Sequence, residues 1–485
     1  MNRRKFLKNT TLASSAILLS DGMFSCMSHS ATQKKGSLTP QAFDTVGFYV
    51  FQDCNESLCK FWAEIGINVI EFLDANVGYT PGSDKMNTYI AEMTEKIAVA
   101  KKYGIKSYII FMSNILPDMS TFDTANKEKM DHRLFEIEYI IKALPEAAGF
   151  TLFAGDPGGL SGLEGSLGLP IEGSLSMYTD MARKVYALVR KYAPHADFNA
   201  NIWAVSAFIR AKYSPFKADF WLSEGELGRE IIAMDDFLAA DFGIEIPGHD
   251  YYRPLAFNLY RSENKYPKSF FPDAEDVAAL KRKNVKNRWG WCYFLMDETN
   301  DGDNLVDASN LPNPTTRYIH QYVSKMREIG MSGIIAGYTR YLNYLNLFAF
   351  GRMAHDPNLT PQDVLREFAG YLVVKEDADT LFEILKFMDN KSTWEMKMPK
   401  EEKLPLFDTR ISSAEEALAR LAQLRPIPAE KTAISLFDFP EPKPIMIGEV
   451  EFLKLEWKEF KSPEQYLLIL QTRLQALNVI ASEGL

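Results

Sequence analysis

The chain has 485 residues, of which 46% are hydrophobic and 24% charged, and a formal net charge of −10. That mixture fills a large globular core, and the length suits one large domain with a smaller companion. Lys and Arg form no run or stripe after the first residues, which argues against nucleic acid as a partner.

The first stretch, MNRRKFLKNTTLASSAILLS, has a basic start and a short apolar run, the pattern of an export signal. The run is too short to span a bilayer. Arg3-Arg4-Lys5-Phe6-Leu7-Lys8 resembles the bacterial twin-arginine signal. Met23-Phe24-Ser25-Cys26 is a loose match to a lipoprotein cleavage site, with Cys26 as the lipidated residue. Residues 1–26 are therefore expected to direct export, to the periplasm or to a membrane-anchored lipoprotein. Any membrane attachment would run through Cys26. Residues 27–42 read as a polar linker. Cys54, Cys59 and Cys292 make no disulfide framework, and the first two flank a helix start as buried thiols.

A strand–helix rhythm follows. TVGFYVF (45–51) reads as a strand, and NESLCKFWAEIG as a helix with Leu58, Phe61, Trp62 and Ile65 on one stripe. Further strands are expected at 68–74, 107–113, 149–156, 197–204, 254–260, 289–297 and 332–339, with helices between them. The sixth has a rival in DFWLSEGE (219–226). Eight apolar strands alternating with helices predict an α/β fold, a (β/α)8 TIM barrel over residues 43–374. An open doubly wound sheet would carry a phosphate loop or dinucleotide fingerprint, and no GxGxxG or GKS/T occurs. Residues 375–485 read as amphipathic helices split by Pro- and Lys-rich loops, an α-helical C-terminal domain.

Barrel enzymes place their chemistry at the carboxyl ends of the strands. Asp156 ends the fourth strand within GDPGG, where a proline and glycines let a ligand approach closely. Asp297 and Glu298 end the Trp-rich seventh strand, and adjacent strand residues face opposite ways, so one of the two is expected to enter the pocket. These three are the candidate catalytic carboxylates. The loop after the seventh strand fails the EF-hand template, with Thr299 and Ala308 where oxygen ligands belong, although a looser cation site stays open. Candidate substrate-binding residues are Glu71 on the second strand, Asn199, Asn201 and Trp203 alternating on the fifth, His249, Asp250 and Tyr251 in PGHDYYRP, and Arg340 after the eighth. Amides bind hydroxyls and a Trp offers an apolar plate, so the set suits a sugar.

There is no GxSxG elbow, no HExxH and no zinc-like Cys/His spacing. What remains is carboxylate chemistry. Glycosidic cleavage needs one protonated acid and a second carboxylate as nucleophile or base, and an apolar Trp-rich wall keeps one acid protonated. On that basis Glu298 is the expected general acid.

GDPGG, NANIW and NYLNLFAFGRMAHDPNLTPQDVLREFAGYLV (343–373) resemble parts of bacterial (β/α)8 glycoside hydrolases, loosely those of the α-glucuronidase-like and hexosaminidase-like barrels. Asn346, Asp356, Pro357, Leu359, Thr360 and Phe368 carry the resemblance in the last segment. It implies an exported enzyme of the kind gut Bacteroidetes use on complex glycans. The hexosaminidase-like Asp-Glu pair is replaced by Asp156-Pro157, which speaks against a substrate-assisted mechanism. No cofactor and no metal are expected. The competing readings are a sugar lyase or isomerase using a divalent cation, a non-catalytic carbohydrate-binding barrel, and a redox protein suggested only by the twin-arginine signal.

Overall fold

The structure is a computed structural model. It describes residues 42–50, 54–73, 79–112, 127–153, 171–201, 242–247, 274–282, 285–292, 314–336, 344–392, 400, 403–434, 445–447, 450–453 and 462–483. All of them belong to one compact unit, Pro40–Leu485.

Eight parallel strands close on themselves in chain order. They are β1 (Thr45–Val50), β2 (Val69–Leu73), β3 (Lys106–Met112), β4 (Gly149–Phe153), β5 (Asp197–Asn201), β6 (Phe242–Pro247), β7 (Arg288–Cys292) and β8 (Gly333–Ala336). Closure is direct, since β1 pairs in parallel register with β8 from Thr45↔Gly333 to Phe48↔Ala336. Among the described residues a helix follows every strand but β5: α1 (Glu56–Glu64), α2 (Asp84–Lys102), α3 (Lys127–Ala143), α4 (Ile171–Tyr192), α5 (Ala274–Arg282), α6 (Thr316–Glu328) and α7 (Tyr344–His355).

Local chemistry sets these boundaries. Asn55 and Ser83 cap α1 and α2, their side chains accepting from the N–H groups of Leu58 and Met86. Just past the end of α1 stands Gly66, at φ 90°, a left-handed conformation that glycine adopts without penalty. The strands are buried on both faces, because helices cover the apolar outside, as at Phe150 and Leu152, and side chains such as Thr151 and Phe153 fill the inside.

One strand is a correction. The sixth strand is Phe242–Pro247, which pairs with β5 on one side and β7 on the other, and neither 254–260 nor 219–226 holds that place. Those two segments lie outside the described residues. FGIEIP escapes a search for apolar runs because it is short, ends in Pro and carries a glutamate at its middle.

Beyond the barrel come α8 (Pro361–Leu372), α9 (Ala378–Asp389), α10 (Ala414–Leu421) and α11 (Pro463–Glu483). A small antiparallel sheet of β9 (Ile445–Ile447) and β10 (Val450–Leu453) also stands there, where only helices were expected. The expected boundary at 374–375 falls between α8 and α9, and packing runs across it. Phe348 of α7, Phe368 of α8 and Tyr466 of α11 form an aromatic chain with ring centroids 5.2 and 5.5 Å apart. A buried ion pair adds to this. Arg317 of α6 donates to the Asp389 carboxylate of α9 at 2.6 Å, and the Thr316 backbone N–H and hydroxyl donate to its other oxygen at 2.6 and 2.7 Å. No described helix is long and apolar enough to cross a membrane.

Candidate functional site

The barrel interior is built from alternate residues of each strand. The layer nearest the strand starts is small on some strands and large on their neighbours. A Cβ on Gly149 would stand 2.1 Å from the Tyr108 ring, and one on Gly243 1.8 Å from Asn199 Oδ1. These glycines leave the room that Tyr108 and Asn199 occupy. In this layer the Tyr108 hydroxyl donates to Asp197 Oδ2 at 2.9 Å, and Lys286 pairs with the other Asp197 oxygen. Burial opposes the Asp197 anion, but Lys286 and Tyr108 outweigh it and hold the carboxyl below its ordinary value.

Above lies a polar layer. Register places Glu71 of β2 beside Tyr49 and Tyr108, Thr151 of β4 beside Asn199, and Glu245 of β6 beside Asn201 and Trp289. Glu71, Thr151, Asn199, Asn201 and Glu245 all have 0% exposure. The Thr151 hydroxyl lies 2.6 Å from Glu71 Oε1 and 3.1 Å from Glu245 Oε1. Glu245 gathers two amide donors besides, Asn199 Nδ2 at 3.2 Å and Asn201 Nδ2 at 2.8 Å. Asn287 donates to Asn199 Oδ1 at 3.0 Å, which fixes the orientation of that amide. Burial, and then the neighbouring Glu245, push the Glu71 carboxyl well above its ordinary value. Burial also raises Glu245, against the hydrogen bonds from Glu71, Asn201, Thr151 and Asn199.

The far layer is aromatic. Tyr49 stacks on Trp291 with centroids 5.9 Å apart, Phe153 meets the same indole edge-on at 5.3 Å, and all three are buried. Asn201, the last residue of β5, stands with them where the strands end.

Of the residues singled out in sequence, the structure brings Glu71, Asn199 and Asn201 together. Asp156, Asp297, Glu298, Trp203, His249, Asp250, Tyr251 and Arg340 lie outside the described residues, as do all the segments that directly follow the eight strands. Glu245 and Thr151 were missed. Each is a lone polar side chain in an otherwise apolar strand, GFTLF and FGIEIP; the second strand is too short to stand out, and a threonine in the first is common in strands. The residues behind the family resemblance serve the fold where they are described. Asn346 Oδ1 accepts the Thr315 N–H at 2.9 Å at the start of α6, and Thr360 and Asp363 form the capping box of α8. No group of three or more His, Cys, Asp or Glu among the described residues is placed to hold a metal ion.

No protein-family model matches the chain, and no curated protein matches it. Among solved structures it is similar to a GH138 enzyme targeting pectin rhamnogalacturonan II, at 10% identity and TM-score 0.46, with 72% of this chain and 43% of that one covered. It thus spans less than half of that enzyme's length. It is also similar to a Thermobaculum terrenum O-GlcNAc hydrolase at 11% identity and TM-score 0.44, covering 79% of this chain and 71% of that one. A third is a broad-specificity GH5-4 endoglucanase from Bacteroides salanitronis, at 9% identity and TM-score 0.40, with 64% and 93% covered. Sugar epimerases match as well. The neighbours are mostly glycoside hydrolases, in keeping with the loose resemblance read from sequence. At this distance they carry no argument about what the chain does, and the barrel rests on its own strand pairing.

Proposed function

We propose that the chain is an exported glycoside hydrolase acting on complex glycans. The observation that supports this is the barrel interior, where amides and stacked aromatics line the ends of the strands above a pair of buried carboxyls. Aromatic faces pack against the apolar faces of sugar rings, and amides match their hydroxyls. Glu71 and Glu245 have no exposed surface, so the pair that cleaves is assigned to the acids that follow the strands. Asp156 and one of Asp297 and Glu298 take the two carboxyl roles, with Glu298 protonating the leaving oxygen. Trp203, His249, Asp250, Tyr251 and Arg340 hold the sugar, and Asn201, which has no exposed surface, braces Glu245 at the end of β5.

The test is reducing-sugar release by the purified protein across a panel of polysaccharides. On the substrate so found, Asp156→Asn and Glu298→Gln are expected to lower kcat by about 10²- to 10⁴-fold, the range of a lost acid or base. Full activity in both variants overturns the assignment. The second reading is a sugar lyase or isomerase that draws on the same acids after the strands, since Glu71 and Glu245 have no exposed surface to offer a sugar carbon. Loss of activity in a chelator, restored by a divalent cation, selects the lyase or isomerase that uses one.

A further inference from the structure

Thr151 has one hydroxyl proton and two carboxyl partners, Glu71 Oε1 at 2.6 Å and Glu245 Oε1 at 3.1 Å. One proton satisfies only one acceptor. If both glutamates were ionised, one oxygen would face the lone pairs of the hydroxyl with no proton between, inside a fully enclosed site. At least one carboxyl is therefore an acid.

The surroundings say which. Glu245 accepts from Asn199 and Asn201, the donor shell of an anion. Glu71 has no amide donor among the described residues, its Oε2 meets no N–H or hydroxyl donor there, and its carboxyl lies within hydrogen-bonding reach of the Glu245 carboxyl itself, a contact that only a protonated Glu71 satisfies. An ionised oxygen in that position costs far more than the carbonyl oxygen of a neutral acid. The contact of 2.6 Å also suits a carboxylic O–H donating to a hydroxyl. A cation fits less well, because Asn199 and Asn201 turn their N–H groups to Glu245, and the Asn199 carbonyl is taken by Asn287.

We infer that Glu71, Thr151 and Glu245 form a proton relay across the barrel interior, holding one proton between two carboxyls, with Glu71 the acid and Glu245 the anion at rest. Glu71 Oε1–H donates to Thr151 Oγ1, and the Thr151 hydroxyl donates to Glu245 Oε1. In the exchange the proton leaves Glu71 for Thr151 as the Thr151 proton passes to Glu245. Glu71 becomes the carboxylate and Glu245 the acid, with no change in total charge. Asn201 ties the Glu245 end of the relay to the last residue of β5. The relay is independent of which sugar, if any, binds above it.

The groups facing it come from every neighbouring strand: Tyr49 on β1, Tyr108 on β3, Asn199 and Asn201 on β5, and Trp289 and Trp291 on β7. None of these is a cation. Of the cations at the strand starts among the described residues, Lys286 pairs with Asp197, Arg288 donates to the Val285 and Lys286 carbonyls, and Lys106 is exposed. The sign of the pH dependence follows. An unfolded glutamate ionises near its ordinary value of 4.5, while Glu71 folded stays protonated well above it. The folded chain then holds a proton that the unfolded chain has lost, so this contribution to stability is full below pH 4.5 and falls as pH rises toward the folded value. Glutamine in place of Glu71 keeps the neutral shape and has no proton to lose.

The experiment is infrared spectroscopy of the full chain with ¹³C-labelled glutamate, which separates glutamates from aspartates, paired with Tm against pH. The expected result, at a pH above the ordinary glutamate value of 4.5, is a protonated-carboxyl band in the wild type that is absent in Glu71→Gln. The Tm of Glu71→Gln minus that of the wild type should grow as pH rises above 4.5. Thr151→Val should lower Tm while Thr151→Ser keeps it. The absence of a protonated band from the wild type under those conditions overturns the relay, as does a band that survives in Glu71→Gln. Should Glu71→Gln fail to fold, the wild type and the Thr151 pair decide. A Tm equally lowered by Thr151→Val and Thr151→Ser, or a wild type without the protonated band, then overturns it.

Discussion

Gly243 shows how a single residue decides the polar layer. The Asn199 amide fills the space a side chain on Gly243 would take, and that amide is held by Asn287 on one end and Glu245 on the other. Gly243→Ala pushes a methyl to within 1.8 Å of Asn199 Oδ1, and the amide has nowhere to turn without losing both partners. We expect a loss of about 1–3 kcal/mol, the cost of overpacking a close-packed interior. Urea unfolding of Gly243→Ala against the wild type measures it. Little of this was legible beforehand. Asn199, Asn201 and Glu71 stood out because polar side chains in apolar strands need partners. Glu245 carries the same signal, but a strand of six residues ending in Pro offers too little periodicity to be recognised by itself.

The elements outside the barrel are fastened by a buried charge pair. Asp389 at the end of α9 receives Arg317 and both donors of Thr316, and Arg317 donates further to the carbonyls of Leu404 and Pro405 at 3.2 Å. Burial still lifts the Asp389 carboxyl above its ordinary value, so the desolvation of the acid outweighs the help of its partners. The pair therefore specifies where α6, α9 and the 403–409 segment meet more than it adds net stability. Removing one member is a different matter. Asp389→Ala strands a guanidinium that is 5% exposed and should cost about 3–5 kcal/mol, whereas Arg317→Met combined with Asp389→Leu should recover part of that. Thermal unfolding of the single and double variants checks the order. The helices themselves were readable from their apolar stripes, such as Leu58, Phe61 and Trp62 in α1. The pairing of Arg317 with Asp389 was not, because nothing local distinguishes them from solvated charges.

At the scale of the whole molecule, the twin-arginine-like start and Cys26 make a claim about where the chain resides. We propose that Cys26 carries the lipid anchor. In a bacterial host, wild-type protein should sediment with membranes and incorporate labelled palmitate, and Cys26→Ala should do neither while leaving the folded barrel intact. Equal labelling of both removes the anchor from the proposal. The glycosidase reading operates at this scale too, since it needs the acids that follow the strands to converge on the aromatic and amide floor of the barrel.

The sequence by itself determined the strand–helix alternation for seven of the eight strands, because buried parallel strands and amphipathic helices differ in period and in their end signals, while the place of the sixth came from its pairing. It also determined that acids and amides stand inside strands, since a polar residue in an apolar run is visible without coordinates. Only the tertiary structure decided which of them meet. Glu71 and Glu245 belong to strands far apart in the chain, and it is barrel closure that sets both against the hydroxyl of Thr151. Burial then makes the meeting consequential, because two carboxyls enclosed together keep a proton that either would lose in water.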